Sequence, residues 1–375
     1  MANDLVTPDW PAITESEAVE VLAHFTDDRA KASAAAVTWR SPRPMSAAAL
    51  VTLGDATYFV KRHDARVRSS ERLALEHAFA RHLRARGLST PAILATRDGS
   101  SVYEHDPFVY EVHECAPGED RYRDVPSWYP FTSHPDAHAA GVALAHFHRA
   151  AADFPAAAWD FGPLIDADLV LAAEPDDAYR RLVTTRPGLV RATADYDVLG
   201  DFASFLREPI RVAKARLEHV TTQWTHGDWH GSNLTWSGPA DAARVASVLD
   251  LGLSNRTFAL HDLAIAIERS VVDWLDTAGL GVPSIDYGSL DALLAGYVSV
   301  APLTEDDLAT LAAVLPVAHV AFALSEVEYF GSIVDSPANV ELAYQSYLLG
   351  HARWFDSPTG RSLLAHVRAA TPSNR

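Results

Sequence analysis

One short stretch limits the architectures open to this chain more than any other. It reads Thr225-His226-Gly227-Asp228-Trp229-His230-Gly231-Ser232-Asn233-Leu234, and Asp250 follows 17 residues after Asn233 within Val248-Leu249-Asp250-Leu251-Gly252. Between them lie two β-type runs, Leu234–Trp236 and Val245–Leu249, joined by the turn-rich Ser237-Gly238-Pro239-Ala240-Asp241. Such a pattern predicts a hairpin, which returns the chain to the end it left and brings Asn233 and Asp250 to the same end.

An Asp, an Asn five residues on and a second Asp beyond a hairpin suit phosphoryl transfer. Asp228 is placed to accept a hydrogen bond from an attacking hydroxyl and then its proton. Asn233 offers a neutral oxygen and Asp250 a charged one to Mg²⁺, hard donors for a hard cation. Gly227 suits an unusual backbone angle or a close approach. His226 is expected to hold the loop backbone. His230 either supports the loop or contacts phosphate. Asp262, in His261-Asp262-Leu263-Ala264, either caps a helix or braces the loop. Asn255 and Arg256 belong to a solvated loop or meet an incoming substrate. A different chemistry is also open: His226, Asp228 and His230 spell a His-x-Asp-x-His pattern that a Zn²⁺ or Mn²⁺ metallohydrolase can use.

Upstream, a capping-box pair, Thr14 and Glu17, opens a helix over Glu15–Phe25 with Ala18, Val21, Leu22 and Phe25 on one stripe. Three β-type segments follow at about Ala34–Trp39, Ala47–Leu53 and Thr57–Lys61, the last two around a Gly54-Asp55 turn. Leu73, Leu75, Ala78, Phe79 and Leu83 are spaced for a helix over Ser69–Arg86 that Gly87 and Pro91 end. Ala92–Thr96 and Phe108–His113 read as strands, with Asp98-Gly99 between them. The composition changes at Ala116-Pro117-Gly118, and Ala-rich helical patterns dominate afterwards. Two domains are expected, 1–116 and 117–375. Tyr122–Pro135 reads as a loop or lid and Asp160–Asp177 as irregular. The apolar run Leu308–Leu324, interrupted by Pro316 and His319, reads as a buried helix and is short for a membrane span.

Lys61 ends its strand, where its ammonium can reach nucleotide phosphates. Glu76 on the next helix is the expected partner, with Glu71 as the alternative. Taken alone, Lys61 also fits an ordinary exposed strand-end lysine.

Composition narrows the class. A formal charge of −18 opposes binding to a phosphate backbone. It suits solubility and a cationic acceptor. The single cysteine, Cys115, forms no internal disulfide and suits a reducing cytosol. The first residues lack the basic and apolar regions of a signal peptide. A cytoplasmic protein with no nucleic-acid or membrane partner is the expectation.

In the Asp228 loop, the Asp250 strand end, Asp262-Leu263-Ala264, the Lys61 strand, the Glu76 helix and the Gly87-Leu88-Ser89-Thr90-Pro91 corner, the chain resembles the aminoglycoside phosphotransferase superfamily. The resemblance spans roughly Ala34 to Arg269. It implies an α+β, bilobal protein-kinase-like fold. The N-lobe would be a small antiparallel sheet with one inserted helix, and the C-lobe larger and mainly helical. It implies ATP or GTP bound between the lobes with Mg²⁺, and a hinge at Glu111-Val112-His113-Glu114 whose backbone meets the purine. Its nucleotide loop falls at Ser41–Ser46, which holds no glycine, so Ser46 or Arg43 side chains would substitute. The acceptor expected is a small-molecule hydroxyl of aminoglycoside, sugar, amino-sugar or hydroxy-amino acid type. A protein Ser/Thr kinase and a nucleotide-binding pseudokinase are the alternatives within the fold.

Overall fold

The computed structural model describes residues 8–26, 35–159, 163–164 and 177–370. The segment expected to be irregular, Asp160–Asp177, lies almost wholly outside the described residues. The chain forms two compact units, Met1–Gly118 with Ser247–Gly252, and Glu119–Ala246 with Leu253–Arg375. The stretch Ser247–Gly252, assigned from the sequence to the later domain, thus packs in the first unit.

The first unit opens with α1 (Glu15–Phe25), whose N-cap Thr14 and Glu17 form the expected capping box. A five-stranded antiparallel sheet follows. Its strands are β1 (Ala36–Arg40), β2 (Ala47–Leu53), β3 (Ala56–Asp64), β4 (Tyr103–His105) and β5 (Phe108–Glu114), in the order β1-β2-β3-β5-β4. Helix α2 (Ser70–Ala85), capped by Ser69, lies between β3 and β4 in sequence. Alternation along the strands sorts the two faces. Val60 and Val112 join Val21, Leu22, Ala49 and Val51 in an apolar core that includes α1. Lys61, His63, Glu111 and His113 fall on the opposite parity, with Lys61 opposite Glu111 and Phe59 opposite His113.

The strand expected at Ala92–Thr96 is absent. Residues 92–94 instead make one bridge, Ile93 to His113, with Leu94 N donating to Val112 O and Glu114 N to Ala92 O. The reason is that β5 offers one outer edge. β4 takes its Phe108–Tyr110 half, and Thr96 then closes a turn onto Ser100.

Further along the chain, α3 (His134–Ala151) precedes β6 (Gln223–Thr225), β7 (Leu234–Ser237), β8 (Arg244–Val248), β9 (Asn255–Thr257) and α4 (Ala259–Ser270). β6 pairs with β9 and β7 with β8. Asn255 and Arg256 are therefore strand residues. Asn255 is buried, and its amide exchanges two 2.8 Å hydrogen bonds with the Trp159 backbone. The apolar run Leu308–Leu324 is helical, with a 3-10 turn, Leu315–Val317, around Pro316. The continuous stretch Glu305–Val334 is long and apolar enough to cross a membrane by length and composition, yet 89% of its apolar window is buried inside the protein. That burial fits a core helix, because a lipid-facing span would leave its apolar side chains uncovered.

Candidate active site

The loop from His226 to Asn233 connects β6 to β7. Gly227 sits at φ 78°, and a Cβ there would collide with the Leu253 carbonyl. Only glycine meets both conditions. Asp262, in the first turn of α4, braces this loop rather than capping the helix, whose N-cap is Phe258. Its Oδ2 accepts from His226 N at 2.8 Å and its Oδ1 from Gly227 N at 2.8 Å. His148 of α3 reaches the same carboxylate at 3.0 Å. Burial alone would raise the Asp262 carboxyl, but His148 and the backbone donor outweigh it and the net direction is down. The His226 ring meets Phe147 and Trp229 edge-on, and its Nδ1 accepts from Asp228 N at 3.2 Å.

Asp228 is thereby presented on a fixed backbone with three side chains around its carboxylate. Arg269 Nη1 lies 3.1 Å from Oδ1 and His230 Nε2 3.3 Å from Oδ2. Asn233 Nδ2 donates to Oδ2 at 3.0 Å and to the Asp228 carbonyl at 2.9 Å. Burial pushes the carboxyl up, but Arg269, then His230 and His226, override it and hold Asp228 far below the usual carboxylate range. His226, Asp228 and His230 do not converge as metal ligands. His226 is turned onto the loop's own backbone, and His230 Nδ1 is engaged with Ser232 Oγ at 3.0 Å. The His-x-Asp-x-His metallohydrolase pattern is absent from the geometry.

Arg269 went unnoticed in the sequence because it is one charge at the end of an apolar helix. It is buried, and its guanidinium stacks over Trp128 at 3.9 Å. Trp128 belongs to the aromatic loop after Gly118. Tyr122 anchors that loop, donating to Asp136 Oδ2 at 3.1 Å and accepting from Thr132 N at 3.0 Å.

The first unit holds the remaining candidates. Lys61 Nζ pairs with Asp250 Oδ2 at 2.9 Å, not with Glu76 or Glu71. Glu76 is occupied: Arg68 Nη1 lies 3.0 Å from Oε2 and Arg72 Nε 2.9 Å from Oε1. Arg68 also donates to Gly252 O at 3.0 Å, and a side chain at Gly252 would occupy the guanidinium's place. Arg68, just before the N-cap Ser69, and Arg72, in the first turn of α2, are the two arginines that claim Glu76. Asp250 has φ 49°, a left-handed conformation that aspartate tolerates better than most residues. The end of β8 is seated by Val248 N and Ser247 Oγ on Ser89 O, at 2.9 and 3.1 Å.

Glu111 and His113 differ from expectation. Their backbone is taken up by pairing with β3, and His113 also bridges Ile93. The strand β5 itself ends at Glu114. The Glu111 side chain is buried among His63, His77 and His113, with its oxygens 3.0, 2.7 and 2.8 Å from their Nε2 atoms. Ser46 follows Met45, whose positive φ of 71° closes the glycine-free turn; Met45 N donates to Asp9 at 3.0 Å.

A family model described as the phosphotransferase enzyme family matches residues 46–303, more than half of the chain. The chain belongs to the phosphotransferase enzyme family. This phosphotransferase also resembles solved structures at low identity. An aminopropanol kinase associated with a microcompartment superposes with a TM-score of 0.63 at 17% identity, covering 96% of this chain and 100% of the other. An amicoumacin kinase in complex with AMP-PNP, Ca²⁺ and Ami gives 0.58 at 14%, over 96% and 94%. A Plasmodium vivax ethanolamine kinase gives 0.56 at 12%, over 93% and 89%. No curated protein matches the chain significantly. The fold is the α+β protein-kinase-like one, and the enzyme is a phosphotransferase with an alcohol group as acceptor.

Proposed function

We propose that this phosphotransferase moves the γ-phosphate of ATP or GTP, with Mg²⁺, to a hydroxyl of a small amine-bearing molecule in the cytoplasm. The observation that carries the reading is the Asp228 carboxylate, ionised and held by Arg269, His230 and Asn233 on a loop braced by Asp262. A carboxylate so far below its usual range is a weak base. It therefore orients the acceptor hydroxyl first and takes its proton late, as bond cleavage to the leaving phosphate advances. That order suits a loose transition state, in which the nucleophile needs little early activation.

Asp250 and Asn233 are the proposed Mg²⁺ ligands. The donor set fits. Asp250 Oδ2 already faces a cation, the Lys61 ammonium at 2.9 Å. The Asn233 nitrogen is engaged by Asp228, which leaves its oxygen as the donor. When bound, Mg²⁺ neutralises phosphate charge. Lys61 is proposed to release Asp250 to the metal and turn to nucleotide phosphate oxygens. The base edge is assigned to the chain past Glu114, since Glu111–His113 have their backbone in the sheet. An amine-bearing acceptor is favoured by the net charge of −18. The aminopropanol and ethanolamine kinases among the structural neighbours point the same way.

The test is a thermal-shift titration with ATP and GTP, each with and without Mg²⁺, on the parent and Asp250→Ala. A Mg²⁺-dependent rise that Asp250→Ala abolishes is expected. No rise with either nucleotide at millimolar concentration overturns the reading. Screening amino alcohols and amino sugars by ADP or GDP release then identifies the acceptor. Asp228→Asn should keep the nucleotide shift and lose turnover by on the order of 10² or more.

A further inference from the structure

On the face of the sheet that also carries Lys61, and independent of the phosphoryl-transfer reading, the first unit buries a cluster that the proposed reaction does not use. Glu111 and His113 of β5 are two residues apart and so share one face of the strand. His77, one residue after Glu76 on α2, meets them there. The Glu111 Oε2 atom lies 2.7 Å from His77 Nε2 and 2.8 Å from His113 Nε2. One ligand atom from each of the three residues lies within 4.8 Å of the other two.

We propose that His77, His113 and Glu111 form a binding site for a zinc-class transition-metal dication, with water completing the shell. Donors around a tetrahedral ion, each about 2.0–2.1 Å from it, stand about 3.3 Å apart. The present contacts of 2.7 and 2.8 Å need to open by only about half an ångström to admit the ion. Two imidazoles and one carboxylate suit Zn²⁺, Co²⁺ or Fe²⁺ and disfavour Mg²⁺, which prefers oxygen donors.

The outer groups that orient metal ligands are also in place. His77 Nδ1 lies 2.8 Å from Ser101 Oγ, which can accept a hydrogen bond from Nδ1–H once Nε2 turns to the metal. Glu111 Oε1, the oxygen directed away from the pair, is held by His63 Nε2 at 3.0 Å. Access is from one side: the His113 side chain is 19% exposed, against 2% for His77 and 6% for Glu111. A bound ion would also balance a carboxylate that is costly to bury. It would clamp α2, which carries Glu76, to the strand beside the one that carries Lys61.

The test uses the full chain, stripped of metal by a chelator and titrated with Co²⁺ in excess Mg²⁺ so that oxygen-only sites are filled. One equivalent of Co²⁺ should give visible d–d absorption. Zn²⁺ at a hundredfold excess over its Kd should abolish that absorption and raise the Tm by on the order of 5 °C. His113→Ala, at the open side of the cluster, should lose both responses. His77→Gln should lose them as well, which covers the case of a His113 variant that fails to fold. Cys115→Ser and Asp228→Asn should keep them, because neither the thiol nor the catalytic loop belongs to the site. Absence of a saturating Co²⁺ band in the parent, an unchanged band in both histidine variants, or its loss in Cys115→Ser or Asp228→Asn overturns the proposal.

Discussion

Replacing Arg269 by Met tests the electrostatics of the Asp228 loop without any substrate. The side chain keeps its approximate volume over Trp128, while Asp228 loses the guanidinium 3.1 Å away. Arg269 is 6% exposed and Asp228 19%, so water compensates little. Unit charges about 4 Å apart attract by about 4 kcal/mol at an effective dielectric of about 20. His230 and Asn233 remain on the carboxylate and offset part of the loss. A net cost of about 3 kcal/mol follows, at the low end for breaking a buried pair. In a unit of this size it lowers the Tm by roughly 6–12 °C. Asp228→Asn alone strands the Arg269 charge and is also destabilising. The double variant strands neither, so its cost should fall below the sum of the singles by about 2 kcal/mol or more. Urea unfolding of the four proteins, followed by tryptophan fluorescence, measures the cycle. A coupling below about 0.5 kcal/mol, the scatter of independent sites, would refute the assignment of Arg269 as the group that keeps Asp228 ionised.

Three further outcomes are expected. Glu76→Ala leaves the buried Arg68 and Arg72 guanidiniums without their shared carboxylate, and denaturant titration should show a loss of about 3–5 kcal/mol. Gly227→Ala meets both a positive φ and the Leu253 carbonyl, whereas Gly99→Ala meets a positive φ in open space; by Tm the first should cost clearly more than the second, which strain alone sets at about 1–3 kcal/mol. Burial raises the Glu268 carboxyl to about 7 from its usual 4.5. Because the folded chain then holds the proton more tightly than the unfolded one, this group's contribution is full below about pH 4.5 and is lost as pH rises through about 7. Glu268→Gln removes that loss, so its stability relative to the parent should rise by about 2.5 kcal/mol between pH 5 and pH 8, measured by urea unfolding at each pH.

Local pattern alone determined a good deal. The capping box and apolar stripe of α1, the Ala47–Leu53 strand and the helix starting after Ser69 are set by near neighbours, and the sequence placed them well. The Asp228 loop was equally legible, because turn residues and strand runs around Asn233 and Asp250 are short-range signals. The support given by His226 was expected from its position beside that loop, whereas Asp262 was open between a helix cap and a brace until its carboxylate met His226 N and Gly227 N. Partner choice, in contrast, belonged to the tertiary structure. Lys61 pairs with Asp250, 189 residues away, because Arg68 and Arg72, four residues apart on one side of the unit, had already claimed Glu76. Competition among several charges for one carboxylate is decided by which can be buried together, and spacing along the chain does not encode it. The same holds for Ala92–Thr96, whose strand propensity lost to β4 on the one available edge of β5. It also holds for Arg269, far in sequence from Asp228, and for the cluster in which His77 joins Glu111 and His113 from another element; these groups acquire their chemistry only when folding removes water from around them.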